Sequence, residues 1–260
     1  VVENAGGKTL VTNAGSNSKF LGVLDLDVQN GKVRDFRYKL LPVFSNLIPA
    51  DPEMTAYIDK VRKPYEEKLG EHLAVADEVL YRRGNFNGTF DQLICDALME
   101  VKNAQISLSP GFRWGVSVLP GEPITFEHVM TQTGITYPIT TLNNFTGEQI
   151  KNILEDVADN LFNSDPYYQQ GGDMVRVGGL KYAIDPTQTI GKRITDMELD
   201  GEAIQPNKSY SVAGWASVQE QEGGVPIWDV VTEYLRDKKT VGHIELNEPT
   251  LKNVSGNPGL

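Results

Sequence analysis

From about residue 75 to residue 240 the chain alternates short apolar, strand-like runs with amphipathic segments that carry their own start signals. Thr146-Gly147-Glu148-Gln149 is a capping box, in which hydroxyl and amide satisfy each other's orphan backbone N–H, and it opens a helix to about Phe162. Thr89 reads as the cap of a helix through about 102, with Leu93, Ile94, Ala97, Leu98 and Val101 on its buried side. Thr125 begins a short helix, and a last one runs from 227 to 238. Strands are expected at 75–82, 104–109, 135–143, 174–185, 193–199 and 208–216, with Asp200-Gly201 as a hairpin turn. Such a chain buries its faces by packing helices on a mixed sheet, so the expected class is α/β, an α+β mixed sheet with helices.

The first part reads differently. Residues 9–12 and 20–28 look like strands, and Leu24 and Leu26 alternate with Asp25 and Asp27. Asn30-Gly31 is a two-residue hairpin signal, with the return strand through Val33, Phe36 and Tyr38. A unit of this size cannot bury both faces, so it is expected to belong to a larger sheet. Asp51-Pro52 starts a helix striped with Met54, Ile58, Val61, Tyr65 and Leu69, and Pro64 should kink or split it. The reading is terminal strands at 1–45, a linker helix within 46–74, one domain at 75–247 and a loose tail at 248–260 rich in Asn, Pro and Gly. The first residue is Val1, so the chain is read as processed, cut or expressed as a piece.

Thirty-five acids against 24 bases give a net charge of −11. A nucleic-acid binder needs a basic face, and so does a protein adsorbed to an anionic membrane, so neither partner is expected. No apolar run approaches the ~20 residues of a membrane span. The three histidines, His72, His128 and His243, are far apart and share no metal-ligand spacing, so no metal site is expected in this chain. Cys95 is the only cysteine, sits mid-helix among apolar residues, and reads as a small buried hydrophobe.

Three polar loops remain. Residues 81–88 carry Arg82 and Arg83 beside Gly and Asn, which suits fork-shaped anion binding or a solvated strand end. Ser109-Pro110-Gly111 reads as a turn, followed by Arg113 between Phe112 and Trp114, a strand-end ligand contact or a cation–π pair. Residues 165–176 crowd Tyr168, Asp173 and Arg176 around Gly171 and Gly172, as in a binding loop or a mobile surface loop. Trp215 ends a strand and lines the same cleft or belongs to the core. Ser217 has no visible histidine partner, and no residue of the chain is assigned a catalytic role. Neither Gly178-Gly179 nor Gly223-Gly224 has the Lys-Ser/Thr of a phosphate loop.

The strings YRRGNFNGTFDQLICDAL (81–98), SPGFRWG (109–115), TYPITTLNNFTGEQIKNILEDVADNLF (136–162), DPYYQQGGDMVRVGG (165–179) and GWASVQE (214–220) resemble the C-terminal domain of the 5′-nucleotidase family. Within that family they are similar to the SoxB branch, the sulfate thiohydrolases of bacterial thiosulfate oxidation. Residues 9–28 are similar to the final strands of the family's N-terminal metallophosphatase domain. The resemblance implies a parent di-metal hydrolase whose two divalent ions, expected to be manganese, are held by that N-terminal domain. Its Asp-x-His, Gly-Asn-His and Gly-His-x-His type motifs do not occur here. It further implies a periplasmic location and, as partner, the cysteine-bearing arm of the carrier SoxYZ. The family's C-terminal domain closes a substrate pocket over the metals. Arg113 matches one nucleotide-holding arginine, with Arg82 or Arg83 near another. The two base-stacking positions fall around Tyr137 and Trp215 without a clear aromatic pair, which fits a substrate without a base. The implied substrate contacts are Arg82, Arg83, Arg113, Trp114, Tyr137, Tyr168, Gly171, Gly172, Asp173, Arg176 and Trp215. A 5′-nucleotidase with a divergent pocket, in which Tyr137 faces Trp215, and a binding module without catalysis are the alternatives.

Overall fold

The computed structural model describes residues 1–15, 18–82, 86–112, 115–170, 172–217 and 224–255. The chain forms two compact units, Val1–Tyr65 and Glu66–Leu260.

The first unit opens with a short hairpin of β1 (Val2–Asn4) and β2 (Gly7–Thr9). Thr9 pairs with Val2, so the partner strand is nearly exhausted there, and residues 10–12 are not strand as expected. A longer hairpin follows, β3 (Phe20–Gln29) and β4 (Lys32–Pro42). Asn30 and Gly31 adopt φ of 53° and 74°, the left-handed pair that a two-residue turn needs to match strand twist. Leu24 lies opposite Tyr38 and Leu26 opposite Phe36, while Asp25 faces Arg37 on the other side. No described side chain of this unit is buried. The helix α1 (Pro52–Arg62) is capped by Asp51, whose carboxylate accepts the Met54 N–H at 2.8 Å. Its stripe is split at Pro64, which lies in the turn beyond Arg62, and helix resumes in the second unit as α2 (Glu66–Leu69).

The second unit runs β5 (His72–Ala76), α3 (Thr89–Lys102), β6 (Ile106–Ser109), β7 (Pro123–Thr125), α4 (Phe126–Thr133), β8 (Thr140–Thr146), α5 (Gly147–Phe162) and a 3-10 turn (Pro166–Tyr168). It continues β9 (Arg176–Gly178), β10 (Leu180–Ile184), β11 (Ile194–Leu199), β12 (Glu202–Ala203), β13 (Ser209–Trp215), α6 (Ile227–Lys238), β14 (Thr240–Val241) and β15 (Thr250–Leu251). The fold is the expected mixed α/β one. A central sheet has the order β8-β13-β6-β9, with β13 and β6 parallel, and smaller sheets run β14-β5-β7 and β12-β11-β10-β15. One core gathers Leu80, Phe90, Leu93, Leu98, Val129 and Val231; a second gathers Ile150, Leu154, Ile184, Ile194 and Tyr210.

Several local expectations shift, each for a physical reason. The strand expected at 174–185 is two strands in two sheets, because Gly179 turns the chain at φ of 80°. A Cβ there would lie 2.4 Å from the Gln105 carbonyl oxygen, and one on Gly178 would lie 2.4 Å from Ser107 Oγ. Thr89 is not the cap of α3. That position is Gly88, and the Thr89 hydroxyl donates to Val79 O at 2.7 Å and accepts from Tyr81 N–H at 3.0 Å. β5 ends at Ala76, after which Leu80 only bridges to Val118, and β8 begins at Thr140 rather than 135. Residues 110–112 form an open strand exit rather than a turn.

The capping box of Thr146 and Gln149 is present, and His128 completes a second one by accepting the Thr125 N–H at Nδ1, 3.1 Å away. The tail is not loose through residue 253. β15 pairs parallel to β10, Asn247 donates to Leu180 O at 2.8 Å, and Asn253 donates to Asp185 Oδ2 at 2.6 Å. Asparagine there serves as an anchor for strands that the local composition does not reveal.

Candidate functional site

Sheet topology brings two of the sequence-selected loops, 109–115 and 165–176, to one edge with the strand end at Trp215. β6 and β13 are parallel, so the exits after Ser109 and after Trp215 leave on the same side. β9 is antiparallel to β6 with Ser109 opposite Arg176, so the approach through Asp173 and Met174 enters beside them. Loops beyond the carboxyl ends of parallel strands are the usual place for ligand contacts in α/β sheets. Gly111 marks how closely they pack, since a Cβ there would lie 2.4 Å from Met174 O and 2.7 Å from Asp173 Cβ.

Beneath these loops lies a buried ionic network. Asp91, in the first turn of α3, accepts from Arg82 Nε at 2.6 Å on one carboxylate oxygen. Its other oxygen is 3.3 Å from Arg176 Nε. Arg82 also donates to the carbonyls of Gln132 and, at 3.0 Å, Pro110. Arg176 donates to Met174 O at 3.2 Å and pairs with Asp173 Oδ2 at 3.1 Å. The Arg82, Asp91 and Arg176 side chains are all 0% exposed. Burial pushes the Asp91 carboxyl above the usual carboxylate range, and the two guanidiniums pull it back.

Above the network, Arg82 lies over the Phe112 ring, 5.3 Å from its centroid, and Phe112 meets Trp215 edge-on at 6.0 Å. Trp215 is buried, with its indole N–H donated to Ser109 Oγ at 2.8 Å.

The structure thus unites Arg82, Asp173, Arg176 and Trp215, but below the surface. Arg82 and Arg176, expected as anion-holding donors, lie buried here with carboxylate partners: a buried guanidinium needs a carboxylate, and Asp91 and Asp173 supply it. Gly172 is open around its Cα. Tyr168, on the 3-10 turn, and Tyr137, ahead of β8, are exposed. Arg83, Arg113, Trp114 and Gly171 lie outside the described residues.

Asp91 is the residue that the loop reading misses. The signal for it is present: Asp91 precedes Ile94, Cys95 and Leu98 at helical spacing, so it lies on the apolar stripe and requires a cationic partner. Cys95 is buried as expected, and its thiol is pushed up to about 12, chiefly by desolvation.

Among the described residues no three of His, Cys, Asp and Glu gather as metal donors. Asp91 and Asp173 are engaged by arginine and His128 by its helix cap, so these groups do not fit a di-metal centre.

Residues 72–231 match the family model described as the 5′-nucleotidase C-terminal domain. The structure is similar to that of the Thermus thermophilus sulfate thiohydrolase SoxB in complex with glycerol, at 36% identity and a TM-score of 0.84 over 90% of this chain and 45% of that one. It shares its fold with a 5′-nucleotidase precursor from Thermus thermophilus, at 20% identity and a TM-score of 0.79 over 97% of this chain and 54% of that one. It also shares it with the Haemophilus influenzae NAD nucleotidase NadN, at 14% identity and a TM-score of 0.58 over 97% of this chain and 57% of that one. Curated protein sequences give no match. The chain spans less than half the length of the SoxB structure. By its matched residues, its fold and its identity to SoxB, the chain belongs to the 5′-nucleotidase family as a C-terminal domain of that family.

Proposed function

We propose that this chain is the substrate-domain part of a hydrolase that releases sulfate from a cysteine-S-thiosulfonate on the SoxYZ carrier arm. In that reaction a water oxygen joins the sulfonate sulfur and the bond to the neighbouring sulfur breaks. Sulfate leaves, and the sulfur left on the carrier keeps the electron pair. Two divalent ions, expected to be manganese, would supply the Lewis acidity from an N-terminal metallophosphatase domain, and the enzyme would act in the periplasm. The apolar face of the β3–β4 hairpin, with Leu24, Leu26, Phe36 and Tyr38, suits the last strands of that domain.

The observation that carries the sulfur reading over the nucleotide one is the burial of Trp215. The family resemblance puts one of two base-stacking positions there. Trp215 is buried, meets Phe112 edge-on and spends its N–H on Ser109, so Trp215 itself offers no open face to a purine. A substrate without a base suits such a site. The greater identity to SoxB than to the nucleotidases points the same way.

The test is hydrolysis by the parent enzyme of a glycine-rich peptide carrying cysteine-S-thiosulfonate, beside AMP. Sulfate release with no phosphate release is expected. The reverse outcome would assign the nucleotidase activity instead.

A further inference from the structure

We infer that Asp91 is the positioning residue of the substrate loops. This rests on the reading that those loops hold substrate, and it adds a residue that touches none of it. One carboxylate takes both guanidiniums, Arg82 at 2.6 Å and Arg176 at 3.3 Å, one on each oxygen. Each arginine then reaches a different loop backbone: Arg82 holds Pro110 O at 3.0 Å, and Arg176 holds Met174 O at 3.2 Å. The two loops press together at Gly111, with no room for a Cβ between them. Asp91 is therefore the hub through which the exit of β6 and the entrance of β9 share one register.

Geometry separates this role from anion binding. Asp91 and Asp173 balance Arg82 and Arg176, and all four side chains are at most 1% exposed. The hub sits on α3, a helix held by the apolar core on its other residues, so it is a rigid reference for the loops. The network thus orients the loop backbone, and contacts to a substrate anion fall to other groups.

The test uses the 260-residue chain and two variants, Asp91→Asn and Arg82→Lys. Amide hydrogen exchange is followed by mass spectrometry at a temperature where circular dichroism shows each variant folded. Asp91→Asn should raise exchange on the order of tenfold in peptides covering 108–112 and 172–176, and leave those from α5 and β11 unchanged. Arg82→Lys keeps a charge for Asp91 but lacks the fork, so it should loosen 108–112 alone. If Asp91→Asn does not fold, the Arg82→Lys pattern decides. Uniform loss of protection across the unit, or no change at either loop, would overturn the positioning role.

A second arm titrates a glycine-rich peptide bearing cysteine-S-thiosulfonate into each chain by calorimetry. Binding by the parent chain, weakened about tenfold or more in Asp91→Asn, supports both readings. Absence of binding by the parent chain counts against the sulfur substrate, while the exchange pattern still decides the role of Asp91.

Discussion

Asp91 shares one carboxylate between two guanidiniums that never reach solvent. Guanidinium does not give up its proton in a protein, so losing the carboxylate leaves two cations with only Asp173 between them. Asp91→Asn should therefore cost about 3–5 kcal/mol of unfolding free energy, read as a lowered urea midpoint. A loss under about 1 kcal/mol would mean that the charges relax to water. Cys95 gives a second residue-scale expectation. Burial holds its thiol up at about 12, so almost no thiolate exists at neutral pH. Its reaction with an aromatic disulfide reagent should follow opening of the unit and accelerate with urea. Immediate labelling in native buffer would contradict the burial.

At the scale of elements, Gly179 and Asp185 do work that propensity does not show. Gly179 transfers the chain from the central sheet to the sheet of β10, β11, β12 and β15 at positive φ, with a carbonyl 2.4 Å from where a Cβ would be. Gly179→Ala should destabilise by about 1–3 kcal/mol or more, measured by thermal or urea unfolding. Asp185 accepts from the Thr187 hydroxyl, Asn253 and Gln188, and these bonds hold its carboxyl down at about 2. An unfolded aspartate titrates near ~3.9, so the folded state binds this proton more weakly. The stabilisation is complete above about pH 4 and is lost as pH falls through about 2. Asp185→Asn should remove that part of the acid dependence and loosen β15; an unchanged acid limb would refute the assignment.

At the scale of the whole molecule the two units differ in kind. Glu66–Leu260 has two apolar cores, whereas no described side chain of Val1–Tyr65 is buried. Limited proteolysis should therefore remove the first unit early and leave a resistant fragment of the second. Equal digestion rates would contradict this difference.

Much of this architecture is legible without coordinates. The capping box at Thr146, the Asn30-Gly31 and Asp200-Gly201 turns, the Pro64 break and the α3 stripe each depend on neighbours in sequence, so local rules find them. The sequence by itself determined the mixed α/β class, the loops that carry polar and aromatic residues, and the family resemblance. Only the tertiary structure decided that Arg82 and Arg176 lie beneath the loops, that Trp215 packs on Phe112, and that Asp91 joins them. Periodicity assigns a residue to a face of its own element. Which carboxylate meets which guanidinium depends on strand order and on the cost of burying a charge unpaired, and neither is a property of a local stretch of chain.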